Sequence, residues 1–436
     1  MNKKKLLALT MAGAMVFSLL TGCVDSSQGQ ELTQVEYDVQ AAIAPYLGNL
    51  DPIPDDDVGF QIEMAYNDCD HMCAGIIGKA TGLYEALGLN VNITKSGKTG
   101  TLLTSGDVQV GYTGLGGAIL NFNKGARLIM PAGSHLGGAM YAVVAPDVDS
   151  LDEIVGGKID LGASSTTSSF WREVCDKLAI PVDVEQYYQG NSMGDTDAML
   201  ALKAGELDLF TCCDPYASIA EEEGFGKIIA TTWHADVKED KSTGFGIHCG
   251  YYLNADFVDA HPALAQRLVL AHCLAIQYMY LHPYSAGEMF AKEFGTSVGV
   301  GLRTMYLKTV AEGRTMCYTL TKENMDNYEK WYDLMGVPEE NRTLCTQVDG
   351  FLDFTLQEKI GIESFQEFME REGIDEREPI GMDYAEWLYM AETIDGIDHE
   401  STDGKVEKWM NEGNKTESEI GAYTGPDAFV APLHQK

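Results

Sequence analysis

Residues 60–94 read Phe-Gln-Ile-Glu-Met-Ala-Tyr-Asn-Asp-Cys-Asp-His-Met-Cys-Ala-Gly-Ile-Ile-Gly-Lys-Ala-Thr-Gly-Leu-Tyr-Glu-Ala-Leu-Gly-Leu-Asn-Val-Asn-Ile-Thr. Residues 61–66 fit a strand, and 75–87 carry Ile76, Ile77, Leu83 and Leu87 at helical spacing. Residues 89–94 alternate as a second strand. A strand, a helix and a strand at this spacing form a βαβ unit, and such units build a mainly parallel sheet covered by helices.

The pattern continues outward. A helix is expected over 99–104, a strand over 108–112, a helix over 116–123, and strands over 128–132 and 140–145. After Pro146 the alternation starts again. Strands are expected at 158–161, 184–187, 208–212, 227–231 and 246–253, with helices running toward Leu178 and over 196–204. Beyond His261-Pro262 the chain turns helical over 263–281, 286–294, 301–313 and 322–335. Upstream, 31–50 has helical spacing and 51–57 is a Pro/Asp loop. Past about residue 345 the pattern is less regular, with helices expected at 365–372 and 383–392. Two α/β units followed by helices predict two lobes with a cleft between them.

The N-terminus carries a different signal. Lys3, Lys4 and Lys5 precede the nearly wholly apolar run 6–20, and Leu20-Thr21-Gly22-Cys23 closes it with small residues and a cysteine. These are the charged, apolar and small-residue regions of a secretory signal. The ending resembles a bacterial lipobox, which implies cleavage before Cys23 and lipid on its sulfur. The expected product is exported and anchored by lipid to the outer face of the bacterial cytoplasmic membrane. Loss of the three lysines takes the formal net charge from −36 to −39. So acidic a chain does not match the phosphates of nucleic acid. It does not favour an anionic leaflet either, so lipid must supply the anchor. The apolar segment 264–280 is interrupted by Gln266, Arg267, His272 and Gln277 and is not a membrane span. Of ten cysteines, nine remain after Cys23, an odd number that cannot all pair within one chain.

Four ordered segments resemble the solute-binding lipoproteins of ABC importers, in the group that includes sulfonate, taurine, nitrate and thiamine-precursor binding proteins. They are Lys-Ala-Thr-Gly-Leu-Tyr-Glu-Ala-Leu-Gly-Leu-Asn-Val at 79–91, Ser-Gly-Asp-Val-Gln-Val-Gly at 105–111, Asp-Ser-Leu-Asp-Glu-Ile-Val-Gly-Gly-Lys-Ile at 149–159 and Ala-Leu-Lys-Ala-Gly-Glu-Leu-Asp at 201–208. The resemblance covers about residues 60–340. It implies a two-lobed α/β fold of the type II periplasmic-binding-protein (Venus-flytrap) kind, with a helical C-terminal block. The expected division is a signal peptide at 1–22, a lipidated tether and N-terminal segment at 23–58, lobe 1 at 59–145 plus 246–345, lobe 2 at 146–245, and an acidic C-terminal extension at 346–436. The resemblance implies a monomer without cofactor, and an ABC permease as partner.

Ligands of open α/β sheets sit beyond the carboxyl ends of strands. Loop 67–73 offers Asn67, Cys69 and His71; the Gly-rich turn 111–117 offers Thr113, Gly114 and Gly116. A hydroxyl run at 164–169 contains Ser165, Thr166 and Thr167, which cap a helix start or hold an anion there. Loop 211–216 offers Asp214 and Tyr216, and His135 and His248 complete the set. The Gly-rich turn lacks the Gly-Lys-Ser/Thr ending of a nucleotide-hydrolysing loop. Catalytic residues are not expected: no His-Glu-x-x-His pair is present.

The leading expectation is therefore capture of a small organic or oxyanionic solute between two lobes for delivery to a permease. An alternative keeps the fold and takes a transition metal or metal complex as cargo, using Cys69, His71, Cys73, Cys212, Cys213 and Cys249, because thiolate and imidazole are soft donors. A remote alternative is an enzyme like those that form the thiamine pyrimidine. Cys175, Cys273, Cys317 and Cys345 are expected in the core or in disulfides.

Overall fold

A computed structural model describes residues 32–33, 35–67, 69–138, 140–162, 169–232, 246–398 and 417–430. Cys23 and the run Ser165, Thr166 and Thr167 lie outside the described residues, as does the side chain of His71.

The first sheet contains β1 (Gln61–Tyr66), β2 (Asn90–Lys95), β3 (Val110–Gly114), β4 (Leu128–Leu136) and, returning late in the chain, β10 (Ile247–Asn254). Their order is β2-β1-β3-β10-β4. Strand β1 is parallel to β2 and β3, whereas β10 runs antiparallel to β3 and β4. The second sheet contains β5 (Tyr141–Val144), β6 (Lys158–Asp160), β7 (Gln189–Asn191), β8 (Leu209–Cys212) and β9 (Lys227–Thr231), in the order β7-β6-β8-β5-β9. Here β6 is parallel to β7 and β8, and β5 is antiparallel to β8 and β9. The two sheets thus repeat one topology, each receiving as its antiparallel strand the one that has just crossed from the other lobe.

Strand β5 belongs to the second sheet, so the crossing falls at 137–140 rather than at residue 145. The two crossings lie side by side. The Gly137 N–H donates to Gly246 O at 2.8 Å, and the Thr232 N–H donates to Met140 O at 3.0 Å.

Central strands are buried on both faces. All nine residues of β4 and all eight of β10 are inaccessible, whereas the edge strand β2 is largely exposed. That is why the inner strands read as apolar runs and only the edges alternate. Three local expectations are corrected. Residues 75–87 form two helices, α1 (Ala74–Ala80) and a short turn Leu83–Ala86, broken where Gly82 takes φ +78°. Residues Val184–Tyr187 are helical, because the Asp183 carboxylate caps the turn by accepting the Gln186 N–H at 3.1 Å; the strand follows at Gln189–Asn191. The long helix expected over 31–50 shrinks to Val39–Ile43 and a 3-10 turn.

Helix α2 (Leu115–Asn123) follows β3, α3 (Ser169–Leu178) covers the second sheet, and α4 (Tyr216–Glu222) follows β8. The helical block begins with α5 (Pro262–Leu281), which packs on α1, then α6 (Pro283–Phe294) and α7 (Val298–Tyr306) as a close hairpin, a π turn Leu307–Ala311 and α8 (Lys322–Leu334).

Most of the described part of 346–436 is regular and docked. Thr355–Ile360 packs on α5, and Tyr384–Asp395 packs on α6. The later stretch 417–430 joins lobe 2: Leu151 N–H donates to Gly421 O at 2.8 Å, and Ile420, Tyr423 and Phe429 pack on that lobe's outer core. Apolar packing is continuous from lobe 1 onto the inner face of lobe 2, through Phe210, Cys213, Tyr216 and Ala217. The lobes are closed on one another.

No described helix is long and apolar enough to cross a membrane. All nine described cysteines are buried; Cys175, Cys273, Cys317 and Cys345 are free, so the disulfides considered for them are not formed.

Candidate ligand-binding cleft

In both lobes the parallel strands β1, β3, β6 and β8 end at one edge, and the antiparallel β5 and β10 begin there. Among the described residues, 69–73, 113–116, 161–162 and 213–216 therefore emerge toward the opposite lobe, beside Tyr141, His248 and Cys249. Position in the topology, rather than neighbourhood in sequence, collects these residues.

On the lobe 1 side, the Asn67 N–H donates to Tyr112 O at 3.2 Å and its Nδ2 donates to Thr113 Oγ1 at 3.2 Å. The Asn67 Oδ1 is buried and has no partner among the described residues. Gly114 closes β3 as the N-terminal boundary residue of α2, and nothing lies within 4 Å of where a Cβ would sit. A Cβ at Gly116 would meet Tyr328 Oη at 3.4 Å.

His135 on β4 stands opposite Cys249 on β10 in register. The His135 and His248 rings are perpendicular, 5.5 Å apart, and Phe170 from lobe 2 lies 5.0 Å from His248. His248 Nδ1 is 3.1 Å from Cys249 Sγ.

On the lobe 2 side, Asp214 has a structural role. Its carboxylate accepts from the Ser218 N–H at 3.0 Å and from Ser218 Oγ at 2.9 Å, which holds the first turn of α4. Burial pushes its pKa up, against the pull of Arg303. Tyr216 is buried at the start of α4, and its hydroxyl accepts from Thr196 Oγ1 at 3.3 Å.

A charged cluster that sequence patterning does not reveal lies beneath these loops. Lys308, on the π turn, is fully buried. Its Nζ is 3.3 Å from the Asp70 carboxylate, donates to Glu312 Oε2 at 2.7 Å, and donates to Tyr141 Oη at 3.2 Å. Tyr141 donates to Glu312 Oε1 at 2.8 Å. Burial alone would lower the pKa of the ammonium, but Asp70 and Glu312 beside it hold it above the ordinary lysine range. A second cation, Arg303 on α7, donates to Ser218 Oγ at 2.6 Å and pairs with Glu221 at 2.8 Å. Burial pushes Glu221 and Glu312 upward, with Arg303 and Lys308 respectively opposing it. In sequence, Lys308 and Glu312 look like an ordinary solvated (i, i+4) pair, so only packing identifies them as interior.

Sulfur concentrates at the same place. The Cys69 Sγ, an Asp70 carboxylate oxygen and the Cys213 Sγ all lie within 4.8 Å of one another. Cys213 Sγ is 3.9 Å from Met140 Sδ. Burial pushes the Cys69 and Cys249 thiols well up. Cys73 and Cys212 are buried beside this group: Asp70 contributes to the upward shift of both thiols. Of the six residues considered for metal, the structure brings Cys69 and Cys213 together and adds Asp70, which residue type alone did not single out.

A model of the NMT1-like family matches residues 59–291, more than half of the chain. The chain belongs to the NMT1-like family. No curated protein matches it in sequence.

Among solved structures, this NMT1-like chain is similar to a ligand-binding component of an ABC-type import system from Staphylococcus aureus with zinc bound (TM-score 0.52, 14% identity, covering 68% of this chain and 98% of that one). It is also similar to the nitrate-binding protein NrtA from Synechocystis PCC 6803 (0.52, 13%, 69% and 88%). The alkanesulfonate-binding protein SsuA from Xanthomonas axonopodis pv. citri bound to MOPS is a third (0.51, 14%, 65% and 96%). At such identities the likeness establishes the periplasmic-binding-protein fold, with two mixed sheets and a helical C-terminal block.

Proposed function

We propose that this chain is the solute-binding lipoprotein of an ABC importer. It captures a small organic or oxyanionic solute between its lobes and hands it to a membrane permease. The observation that carries this reading is the meeting of loops from both sheets at one interlobe surface, where the Asp70 N–H donates to Asp214 O at 3.0 Å. A site made of two lobes couples occupancy to closure, and a ligand that contacts both lobes favours the closed form by its differential affinity for it. The three solved structures named above, a binding component of an import system and proteins that bind nitrate or alkanesulfonate, support the same reading.

Contacts are assigned to Asn67, Cys69, His71, Thr113, Gly114, Gly116, His135, Ser165, Thr166, Thr167, Tyr216 and His248, with Asp214 supporting α4. The unpartnered Asn67 Oδ1 is suited to a donor group on the solute. Lipid on Cys23 keeps the receptor near its permease and raises its local concentration there. The protein acts as a monomeric binder, not as an enzyme.

Titration of the purified protein against sulfonates, pyrimidines and oxyanions, read by calorimetry and thermal shift, tests the reading. Saturable binding of one ligand per chain is expected. Flat titrations across the panel would count against it. Mass spectrometry of the protein from membranes, looking for acylated Cys23, tests the anchor separately.

A further inference from the structure

We propose that Cys69, Asp70 and Cys213 form a binding site for a thiophilic divalent cation of the zinc type, closed only when the lobes meet. The inference deepens the importer reading and rests on it for the identity of the two lobes. Cys69 and Asp70 follow β1 in lobe 1, whereas Cys213 follows β8 in lobe 2. Their donor atoms lie within 4.8 Å of one another, all on buried residues. A cation drawing two sulfurs and an oxygen inward from that spacing would need only small side-chain movements to reach bonds of about 2.0–2.3 Å.

The donor set selects the metal class. Two thiolates and a carboxylate suit a borderline-soft ion such as zinc and do not suit magnesium or calcium, which take oxygen ligands. Met140 Sδ, 3.9 Å from Cys213 Sγ, adds a further soft atom at the rim. Three protein ligands leave a fourth position, as in sites where zinc holds water or a substrate atom.

Charge accounting points the same way. Loading exchanges two thiol protons for one divalent cation: two R–SH and M²⁺ give (R–S)₂M and two H⁺. The net charge of the buried cluster is therefore unchanged. Lys308 sits 3.3 Å from the Asp70 carboxylate and is itself fixed by Glu312 and Tyr141. Lys308 thereby acts as a positioning residue for Asp70. Because the ligands come from both lobes, the cation would act as a staple, and its binding free energy would add to lobe closure.

The test uses the full mature chain, kept reduced and free of chelator. Co²⁺ is titrated as the spectroscopic probe and Zn²⁺ as competitor. Expected are near-ultraviolet sulfur-to-cobalt bands that saturate at one equivalent and are bleached by Zn²⁺, together with a smaller radius of gyration in solution scattering. C69S and C213S are expected to weaken Zn²⁺ by more than the roughly 100-fold that loss of an outer-sphere partner costs. C345S, outside the cluster, is expected to leave it unchanged. The cobalt bands in the unaltered protein report thiolate ligation even if a variant fails to fold. Absence of those bands, or a C213S protein that folds and binds as tightly as the parent, overturns the site. Saturable binding of an organic or oxyanionic solute by metal-free protein, with no cobalt bands, would remove this site and leave the importer reading standing. Absence of both would remove both.

Discussion

The backbone N–H of Asp70 donates to the backbone carbonyl of Asp214 across the cleft, at 3.0 Å. The bond joins the loop after β1 to the loop after β8, and the Lys308 ammonium lies 3.3 Å from the Asp70 carboxylate. Side chains on both loops are thereby held to a fixed geometry by main-chain atoms, which substitution does not remove.

Lys308 is the counter-ion for that junction. Lys308→Met would leave Asp70 and Glu312 buried without their cation, an imbalance costing about 4 kcal/mol. Urea unfolding is expected to show a lower midpoint and an unfolding free energy smaller by that amount. Lys308→Met combined with Glu312→Gln is expected to recover part of the loss, because one of the two stranded carboxylates is removed. Equal loss in the single and double variants would show that the pair does not carry the effect.

Arg303 links the lobes at a second place, reaching from α7 to Ser218 and Glu221 of α4. Arg303→Gln keeps polarity but removes the charge. Solution scattering of the ligand-free variant is expected to show a larger radius of gyration than the parent, and solute affinity is expected to fall several-fold as closure loses a contact. Unchanged scattering would show that the pair is not a closure contact.

His272 is buried, and its ring stacks on Tyr251 with centroids 4.1 Å apart. Its Nε2–H donates to Gly133 O at 2.6 Å, so Nδ1 accepts from the Tyr112 hydroxyl at 2.8 Å. Burial lowers its pKa to about 4. Because the folded value lies below the ordinary 6.5, the unfolded chain binds the proton first. Stability is therefore intact above pH 6.5 and is lost as pH falls toward 4, by about 3 kcal/mol at most. Asp214, Glu221 and Glu312 are shifted upward and work in the opposite sense, so the parent curve mixes both. His272→Gln is expected to flatten the acid limb of stability against pH relative to the parent. Parallel curves would exclude His272 as the source.

Gly301 on α7 meets α6 with no room to spare. A Cβ there would stand 2.2 Å from Gly287 O, a backbone atom that cannot rotate away. Gly301→Ala is expected to push the hairpin apart and cost roughly 1–3 kcal/mol, read as a lower thermal midpoint. A surface glycine with open space, such as Gly97, provides the control, with little change on Gly97→Ala.

The C-terminal stretch 417–430 shows how far local pattern reaches. Its Gly- and Asp-containing sequence predicts no element, and it forms none of length. Yet Ser418 N–H donates to Ile228 O at 2.7 Å, and Thr424 donates to Asp152. These partners lie far away in sequence, so no local period announces them. The short segment Val-Glu-Gln-Tyr at 184–187 failed for the opposite reason: four residues fit either period, and the Asp183 cap decided for the helix.

By itself the sequence determined the alternation of strands and helices and the two-lobed architecture. Those features follow from periodicity and from ordered motifs, which are local. Tertiary structure alone decided that β5 crosses into the second sheet, that Lys308 and Glu312 are interior, and that Cys69 and Asp70 face Cys213. Each depends on residues far apart in sequence converging at the strand edges. Burial there reverses what local pattern suggests, because a charged pair that would be solvated on a lone helix becomes a desolvated one whose partners must be exact in number.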